Sequence, residues 1–279
     1  MSLQEPGSVA PPDYVLGHSE REIERLKAQA QLVEPVTRRF FREAGLGPGM
    51  RVLDVGSGAG DVAFLAADIV GARGEVVGVD RVASAIGIAR ERAQAKSLAN
   101  VTFAVGDPAD MSFEKRFDAV LGRYVLQFQP DPAGALRRLA SQVRPGGLVV
   151  FHEIDWGGLG SFPVMPTFAR CCQWGVDTLR LHGTESRMGS KLHTTFLGAG
   201  LAPPNMRLEA PTGGMPAMRP WLGTFVRLLE VLSPEMERLK VATAAQLGLD
   251  TLENRLVEEA VSLSSVIRGH FQICACVRV

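Results

Sequence analysis

The stretch RVLDVGSGAGD, residues 51–61, joins a short apolar strand pattern to three glycines at alternate positions. These glycines are Gly56, Gly58 and Gly60, and a helical pattern begins at Asp61. Glycines directly after a strand let the backbone turn tightly and approach a ligand closely, while the following helix N-terminus offers unpaired N–H groups. The stretch therefore predicts a strand, a ligand-binding turn and a helix.

Downstream of this turn, short β-branched runs alternate with helical patterns. Helices are predicted from about Asp61 to Val70 and from Ala83 to Ala95, and a third begins at Asp131 and ends before Pro145–Gly147. Such alternation is typical of βαβ units and a parallel sheet, in which the carboxyl ends of the strands meet around one cleft. The strands preceding the cleft loops end at Val55, Asp80, Asp107, Tyr124 and Asp155, the last of them closing the buried fifth strand GLVVFHEID.

Three regions outside this core are predicted to form a cap over the cleft. Tyr14–Ala44 is charged and amphipathic, Trp156–Met188 is rich in aromatic residues, and Pro216–Arg268 carries several helix signals. The predicted organisation is a flexible arm at 1–13, a helical cap segment at 14–46, a core at 47–155, a cap insertion at 156–188, and completion of the core at 189–279 with a helical insertion at about 216–268.

The region 216–268 has its own start and stop signals. Ser233 with Pro234 and Glu235 predicts a helix start, and Gly248 predicts a stop. Asp250 and Glu253 resemble a capping box. In the following helix one face is formed by Leu252, Leu256 and Ala260. The final residues FQICACVRV alternate, which predicts a last strand with Cys274 and Cys276 on one face.

The composition narrows the class of substrate. Of the 279 residues 46% are hydrophobic, and Lys plus Arg equals Asp plus Glu, so the chain has no electrostatic footprint for nucleic acid or an anionic membrane. No apolar run approaches the roughly 20 residues of a membrane span, and the N-terminus has no signal-peptide pattern.

The spacing of the four cysteines, Cys171, Cys172, Cys274 and Cys276, predicts neither a zinc site nor any other metal site, and favours a reducing, cytoplasmic setting. A small-molecule partner is expected, and the sequence does not indicate an oligomeric state.

Two acidic residues refine the interpretation of the glycine turn. Asp80 ends the next strand about 20 residues on, where a carboxylate can accept hydrogen bonds from both hydroxyls of a ribose. The dinucleotide fingerprint GxGxxG would require glycine at 61, where this sequence has Asp61. An NAD-dependent oxidoreductase is therefore the disfavoured alternative.

The pattern DxGxGxG, beginning at Asp54, resembles the first motif of the class I S-adenosylmethionine (AdoMet)-dependent methyltransferases. Three further segments are similar to the family in order: VVGVD ending in Asp80, VGDPAD containing Asp107, and FDAVLGRYVLQF. RMGSKLHTTFLGAGL resembles the helix before the sixth strand in small-molecule members, particularly the quinone-biosynthesis-like group. The resemblance covers roughly Val52–Leu201 and the last strand.

This resemblance implies an α/β fold with a Rossmann-like, seven-stranded, mostly parallel sheet, an antiparallel last strand, and helices on both faces. The glycine turn would hold the methionyl part of AdoMet, Asp80 the ribose and Asp107 the adenine amino group, with Arg81 and Pro108 beside the adenine. Arg123 would face the amino acid end and the transferable methyl. The implied cofactor-binding residues are Asp54, Gly56, Ser57, Gly58, Gly60, Asp80, Arg81, Gly106, Asp107, Pro108 and Arg123.

The N-terminal helix adds two candidates, because Arg25 and Gln29 share a face and could reach the methionine carboxylate; a purely solvated helix is the alternative. Tyr14 and His18 could line the methyl-transfer site.

His152 and Glu153 lie near the carboxyl end of the fifth strand on opposite sides. A base for a protonated acceptor would come from His18, His152 or Glu153, although a hydrogen-bonded core histidine is the favoured alternative for His152.

Methyl transfer is an in-line displacement that depends mainly on positioning. GRYVLQF replaces the NPPY or DPPY element of amide and nucleobase N-methyltransferases, so a small, partly hydrophobic metabolite is the predicted acceptor. An aromatic lining could come from Phe128, Trp156, Phe162, Trp174 and Trp221. A non-catalytic AdoMet-binding protein is the second alternative.

Overall fold

The computed structural model describes residues 20–279, except for the side chains of residues 20–28, 30 and 31. Seven strands form one sheet with the spatial order β3-β2-β1-β4-β5-β10-β7. They are β1 Arg51–Val55, β2 Glu75–Asp80, β3 Val101–Val105, β4 Phe117–Arg123, β5 Val143–Asp155, β7 Asn205–Glu209 and β10 Phe271–Arg278. The first five pair in parallel, and β10 runs antiparallel to both β5 and β7. The predicted fold class is therefore confirmed.

A smaller antiparallel sheet joins the cap segments in the order β6-β9-β8. Its strands are β6 Gly160–Phe162, β8 Thr212–Gly213 and β9 Val266–Arg268. The helices are α1 Glu20–Ala44, α2 Asp61–Val70, α3 Ala83–Ala95, α4 Pro132–Ala140, α5 Pro166–His182, α6 Met188–Gly198, α7 Arg219–Arg238, α8 Ala244–Leu247 and α9 Leu249–Ser262. Among the described helices, none has the length and apolarity that crossing a membrane requires.

Alternation along the strands gives the large sheet two apolar faces. On one face Val150 packs with α1, α2 and α3, and on the other Val149 packs with α4 and α6. Each fully buried Leu or Phe in these layers stabilises the fold by about 2 kcal/mol relative to an exposed one. The sheet is therefore a rigid support whose strand ends carry the site.

The cap has its own core, formed largely by α5, α7 and α9 together with Ile154 and Trp156 at the end of β5. As the alternation predicts, Leu252, Leu256 and Ala260 are all buried in it.

Two expected helix signals in the cap are wrong. Pro234 lies inside α7, which begins at Arg219 with Pro220 in its first turn. The apolar stripe of α7 is buried on both sides of Pro234, and this packing outweighs the lost backbone hydrogen bond. The capping box is formed by Thr243 and Gln246 at the start of α8, and α9 begins after Gly248 without a side-chain cap.

Two other boundaries agree with or refine the prediction. Asp131 caps α4, accepting a hydrogen bond from Gly134 N, and Pro132 opens the helix as expected. The helix ends at Ala140, before Pro145–Gly147, which belong to the start of β5.

Candidate functional site

The turn after β1 is built on glycines with left-handed backbone. At Gly56, φ is +63° and a Cβ would lie 2.9 Å from a methyl of Val125. At Gly60, φ is +91° and a Cβ would lie 2.9 Å from the rings of both Phe103 and Phe64. At Gly58, by contrast, φ is +50° and nothing lies within 4 Å of the Cβ position. Two glycines thus pack the turn against the protein, and the third faces open space.

Asp80 ties this turn to the end of the neighbouring strand. Its Oδ2 accepts a hydrogen bond from Gly58 N at 2.8 Å, and its Oδ1 accepts one from Val82 N at 2.9 Å. The backbone of Ser57 also bonds to Val79 O at 3.0 Å. Each carboxylate oxygen keeps a further lone pair, so Asp80 can hold the turn and still accept hydrogen bonds from a ligand.

Unpartnered buried polar atoms lie directly beside the turn. Asp54 is 1% exposed, and the backbone N–H of Ala63 lies near its carboxylate without forming a hydrogen bond of normal geometry. The hydroxyl of Ser57 has no hydrogen-bond partner among the described residues. Burial raises the pKa of Asp54 well above its usual range, and nearby Arg123 only partly opposes this. Because buried polar groups are normally paired, these atoms suit the polar or cationic groups of a bound ligand.

The third strand end contributes Gly106, Asp107 and Pro108. Asp107 forms an ion pair with Arg81, and its Oδ1 accepts a hydrogen bond from Ala109 N at 2.9 Å. Gly106 N bonds to Asp80 O at 2.9 Å. The structure therefore brings together the ends of β1, β2 and β3, where the sequence placed its ribose and adenine contacts.

At the end of β4, Arg123 and Tyr124 meet a polar network. His152 Nδ1 lies 3.2 Å from Thr37 Oγ1, and its Nε2 lies 2.9 Å from Gln272 Oε1. Gln272 Oε1 also accepts a hydrogen bond from Tyr124 Oη. Burial and Arg123 lower the pKa of His152 to about 3. His152 is thus a neutral, fully buried histidine with both ring nitrogens engaged.

Thr37 and Gln272 were not predicted as site residues, and Tyr124 was expected at the cleft only as a strand end next to Arg123. Tyr124 follows Arg123 at a strand end, which was a usable signal. Thr37 and Gln272 come from α1 and β10, far away in the chain, and no local pattern marks them.

Glu153 faces the other side of β5 from His152. Its Oε1 accepts hydrogen bonds from Val125 N at 2.9 Å and Leu126 N at 2.8 Å, at the start of the 3-10 turn Leu126–Phe128. Its Oε2 is buried and has no hydrogen-bond partner among the described residues. Burial raises the pKa of Glu153 to about 7, although these backbone donors oppose the shift. The side chain thus supports the loop whose Val125 packs on Gly56.

Glu153→Gln should change how stability depends on pH. A carboxyl whose folded pKa exceeds its unfolded value of 4.5 contributes stability that is full below pH 4.5 and lost as the pH rises towards 7. For Glu153 the loss amounts to at most about 3 kcal/mol, and the glutamine variant should lack it. The measurement is the urea-unfolding free energy of both proteins at about pH 5 and about pH 8. His152 titrates alike in both proteins, so its contribution cancels; parallel pH dependences would contradict the prediction.

The N-terminal candidates are only partly described. Tyr14 and His18 lie outside the described residues, as does the side chain of Arg25. Gln29 is described, and its side chain lies close to the Tyr124 hydroxyl, whose pKa it helps to lower. The structure therefore brings Gln29 to the end of β4 through Tyr124.

The aromatic residues expected to line an acceptor pocket are divided. Trp156 is buried in the cap core, and Trp174 and Trp221 are partly buried against it. Phe128 is half-buried beside the site. Phe162 is 81% exposed on β6, and its place in the lining stays a prediction. Its strand is a short edge strand of the small sheet.

A groove of about 630 Å³ lies away from this site, between the C-terminal end of α1 and the strands β10 and β7. It is lined by Phe40, Glu43, Ala44, Leu148, Asn205, Met206, Arg207, Cys274, Cys276, Val277 and Arg278. None of the predicted site residues faces it, so the strand-end cleft remains the candidate site.

Comparison with known proteins places this chain in a family. A family model described as "Methyltransferase domain" matches residues 46–179. The aklanonic acid methyltransferase of Streptomyces sp. (strain C5) is 38% identical over 133 residues, which cover 47% of this chain and 60% of that relative. The chain therefore spans less than two thirds of this relative's length.

A demethylmenaquinone methyltransferase of Staphylococcus aureus (strain MRSA252) is 33% identical over 199 residues, covering 65% of this chain and 79% of the relative. A crystal structure of a putative methyltransferase from Bacillus halodurans C-125 shares the fold, with a TM-score of 0.55 at 20% identity, covering 86% of this chain and 96% of that one. The chain therefore belongs to the class I S-adenosylmethionine-dependent methyltransferases.

Proposed function

We propose that this protein transfers a methyl group from AdoMet to a small, partly hydrophobic metabolite and releases S-adenosylhomocysteine. The observation that carries the proposal is the pairing of an open glycine with buried, unpartnered polar atoms. Gly58 leaves space beside the turn, and the Asp54 carboxylate and Ser57 hydroxyl lack partners among the described residues. A ligand with a cationic group and several hydrogen-bond donors, as AdoMet is, would satisfy them.

We assign the cofactor contacts as follows. The Gly56–Gly60 turn would hold the methionyl part, with Asp54 beside its amino group and Arg123 near its carboxylate. Asp80 would accept hydrogen bonds from the ribose hydroxyls through its remaining lone pairs. At the third strand end, Asp107 would accept from the adenine amino group, while Arg81, Gly106 and Pro108 would flank the ring. These assignments rest on the closeness of the three strand ends and on the resemblance to the family.

The chemistry needs little beyond positioning from the protein. AdoMet, when bound, supplies an electrophilic methyl group on a sulfonium, and the acceptor must approach in line with the breaking bond. A protonated acceptor would also need a base. Glu153, with a raised pKa and a free Oε2, and His18 stand as candidates, whereas the engaged ring nitrogens of His152 favour a supporting role.

The acceptor class is a proposal that draws on the relatives. Two of them are named for aklanonic acid and demethylmenaquinone, and the cap beside Tyr124 is rich in aromatic residues, including stacked Trp221 and Phe225. We therefore propose an aromatic acceptor that carries a quinone or phenol ring. The free thiols and the neutral charge support a cytoplasmic protein that does not bind nucleic acid.

The test has two arms. Calorimetry with S-adenosylhomocysteine and with NADH should detect binding of the first only. Incubation with methyl-labelled AdoMet and a panel of hydroxylated naphthoquinones, anthraquinones, phenols and amines should label at least one quinone or phenol. Binding of NADH instead would favour the oxidoreductase alternative. Binding of S-adenosylhomocysteine with no labelled product across the panel would favour a non-catalytic AdoMet-binding protein.

A further inference from the structure

Tyr124 has an unusual backbone conformation for its residue type. Its φ is +60°, a left-handed value that costs a non-glycine residue about 1 kcal/mol or more. Its N–H still bonds to His152 O at 2.9 Å, which extends the pairing of β4 with β5 by one residue. The pairing of β4 with β5 therefore holds Tyr124 in this strained conformation, at the edge of the sheet that carries the candidate site.

The left-handed turn puts two consecutive side chains on one face of the sheet. In a regular strand Arg123 and Tyr124 would point to opposite faces. Here the Tyr124 ring lies 5.4 Å from the ring of His152, and the Arg123 guanidinium lies 5.9 Å from the Tyr124 ring. The His152 ring in turn meets Phe40 of α1 at 5.0 Å. Both side chains at the end of β4 thus face α1.

The hydrogen bonds around Tyr124 converge on Gln272 Oε1. Gln272 Oε1 can only accept, so the neutral His152 ring carries its one proton on Nε2 and donates it to this oxygen at 2.9 Å. The Tyr124 hydroxyl also donates to Gln272. Thr37 Oγ1 lies 3.2 Å from His152 Nδ1 and 3.1 Å from Val33 O, and its single hydroxyl proton can go to only one of these two acceptors at a time. Arg123 Nη1 donates a hydrogen bond to Thr37 Oγ1 at 3.4 Å.

These contacts connect the parts of the molecule that surround the site. The Tyr124 hydroxyl reaches Gln29 of α1 and Gln272 of β10. Its ring packs against the cap core that includes Trp156 and Phe225. The Tyr124 side chain thus contacts α1, β10 and the cap core at the end of β4.

We propose that Tyr124 is a positioning residue that clamps α1 over the cofactor cleft, so that its hydroxyl slows the release of the bound cofactor. The inference rests on the proposed function for the identity of that cofactor. Tyr124 acts through Gln29 and Gln272. Its left-handed backbone conformation is what turns its side chain towards them.

Removing the hydroxyl should loosen the clamp without unfolding the protein. In Tyr124→Phe the ring stays against the cap, and Gln272 Oε1 keeps His152 as a donor, so no buried acceptor is left unpaired. A side chain with only a structural role would lower the melting temperature and leave cofactor kinetics unchanged.

The experiment measures the dissociation rate of S-adenosylhomocysteine by stopped-flow displacement. Tyr124→Phe should raise this rate about fivefold, the value of one hydrogen bond of average strength. Gln29→Leu should also raise it, and the double variant should release the ligand no faster than Tyr124→Phe alone when the substitution at Gln29 acts through the Tyr124 hydroxyl. The matched control is Arg39→Ala, which breaks the ion pair between the other end of α1 and Glu209. It should leave the rate unchanged.

Hydrogen exchange of the ligand-free protein separates the clamp from the proposed function. Tyr124→Phe should speed amide exchange in residues 29–37 of α1, whether or not the protein binds S-adenosylhomocysteine. Unchanged exchange there, an unchanged dissociation rate, or an equal rate increase in Arg39→Ala would overturn the clamp. Failure of the wild-type protein to bind S-adenosylhomocysteine, with faster exchange in the variant, would count against the proposed function alone.

Discussion

Gly58→Ala is expected to lower the affinity for S-adenosylhomocysteine on the order of 100-fold, because a methyl group would then occupy space that the ligand needs. The Cβ position at Gly58 meets nothing within 4 Å, so the ligand-free protein has room for it. The only penalty before binding is backbone strain at φ +50°, which is about 1 kcal/mol. The loss of affinity should therefore far exceed the loss of stability, as measured by calorimetry and thermal unfolding.

Gly49→Ala is the matched control for this backbone strain. Gly49 has φ +80°, also with nothing within 4 Å of its Cβ position, but it precedes β1 at the opposite edge of the sheet. It should lose similar stability and bind the ligand normally. Equal affinities of the two variants would place the ligand away from the open side of the turn.

Much of the site was predictable because its parts are local patterns repeated along a parallel sheet. A strand that ends in DVG and another that ends in VD need only right-handed crossovers to bring Asp54 and Asp80 to one edge. The structure places the Asp80 carboxylate on Gly58 N, which joins the two patterns by one hydrogen bond. Short-range periodicity and topology suffice for such residues.

The remaining parts depend on contacts between distant segments. The left-handed backbone of Tyr124 has no sequence signal, since non-glycine residues adopt it only where surrounding contacts compensate. Thr37 and Gln272 matter because α1 and β10 pack on either side of His152. Likewise Pro234 usually marks a helix start, and only the burial of α7 in the cap explains why the helix continues through it.

Asp54→Asn should have opposite effects on the ligand-free protein and on its complex. A buried carboxylate without a described partner destabilises the folded state, and its raised pKa means that wild-type stability falls as the pH rises above the unfolded value of 3.8. The variant should lose this pH dependence and be the more stable protein at high pH. It should nevertheless bind S-adenosylhomocysteine about 100-fold more weakly, because the amino group of the ligand loses its buried partner.

Proton release on ligand binding should identify Asp54 as the partner of that amino group. If Asp54 binds a proton in the free protein and faces a cation in the complex, ligand binding must release the proton, since a nearby cation favours the carboxylate. The calorimetric enthalpy of the wild-type protein should then vary with the ionisation enthalpy of the buffer, and that of Asp54→Asn should vary less. Asp110→Asn is the control, because Asp110 is exposed and pairs only loosely with Arg138, at 3.6 Å. A buffer dependence equal in all three proteins would exclude Asp54 as the group that releases the proton.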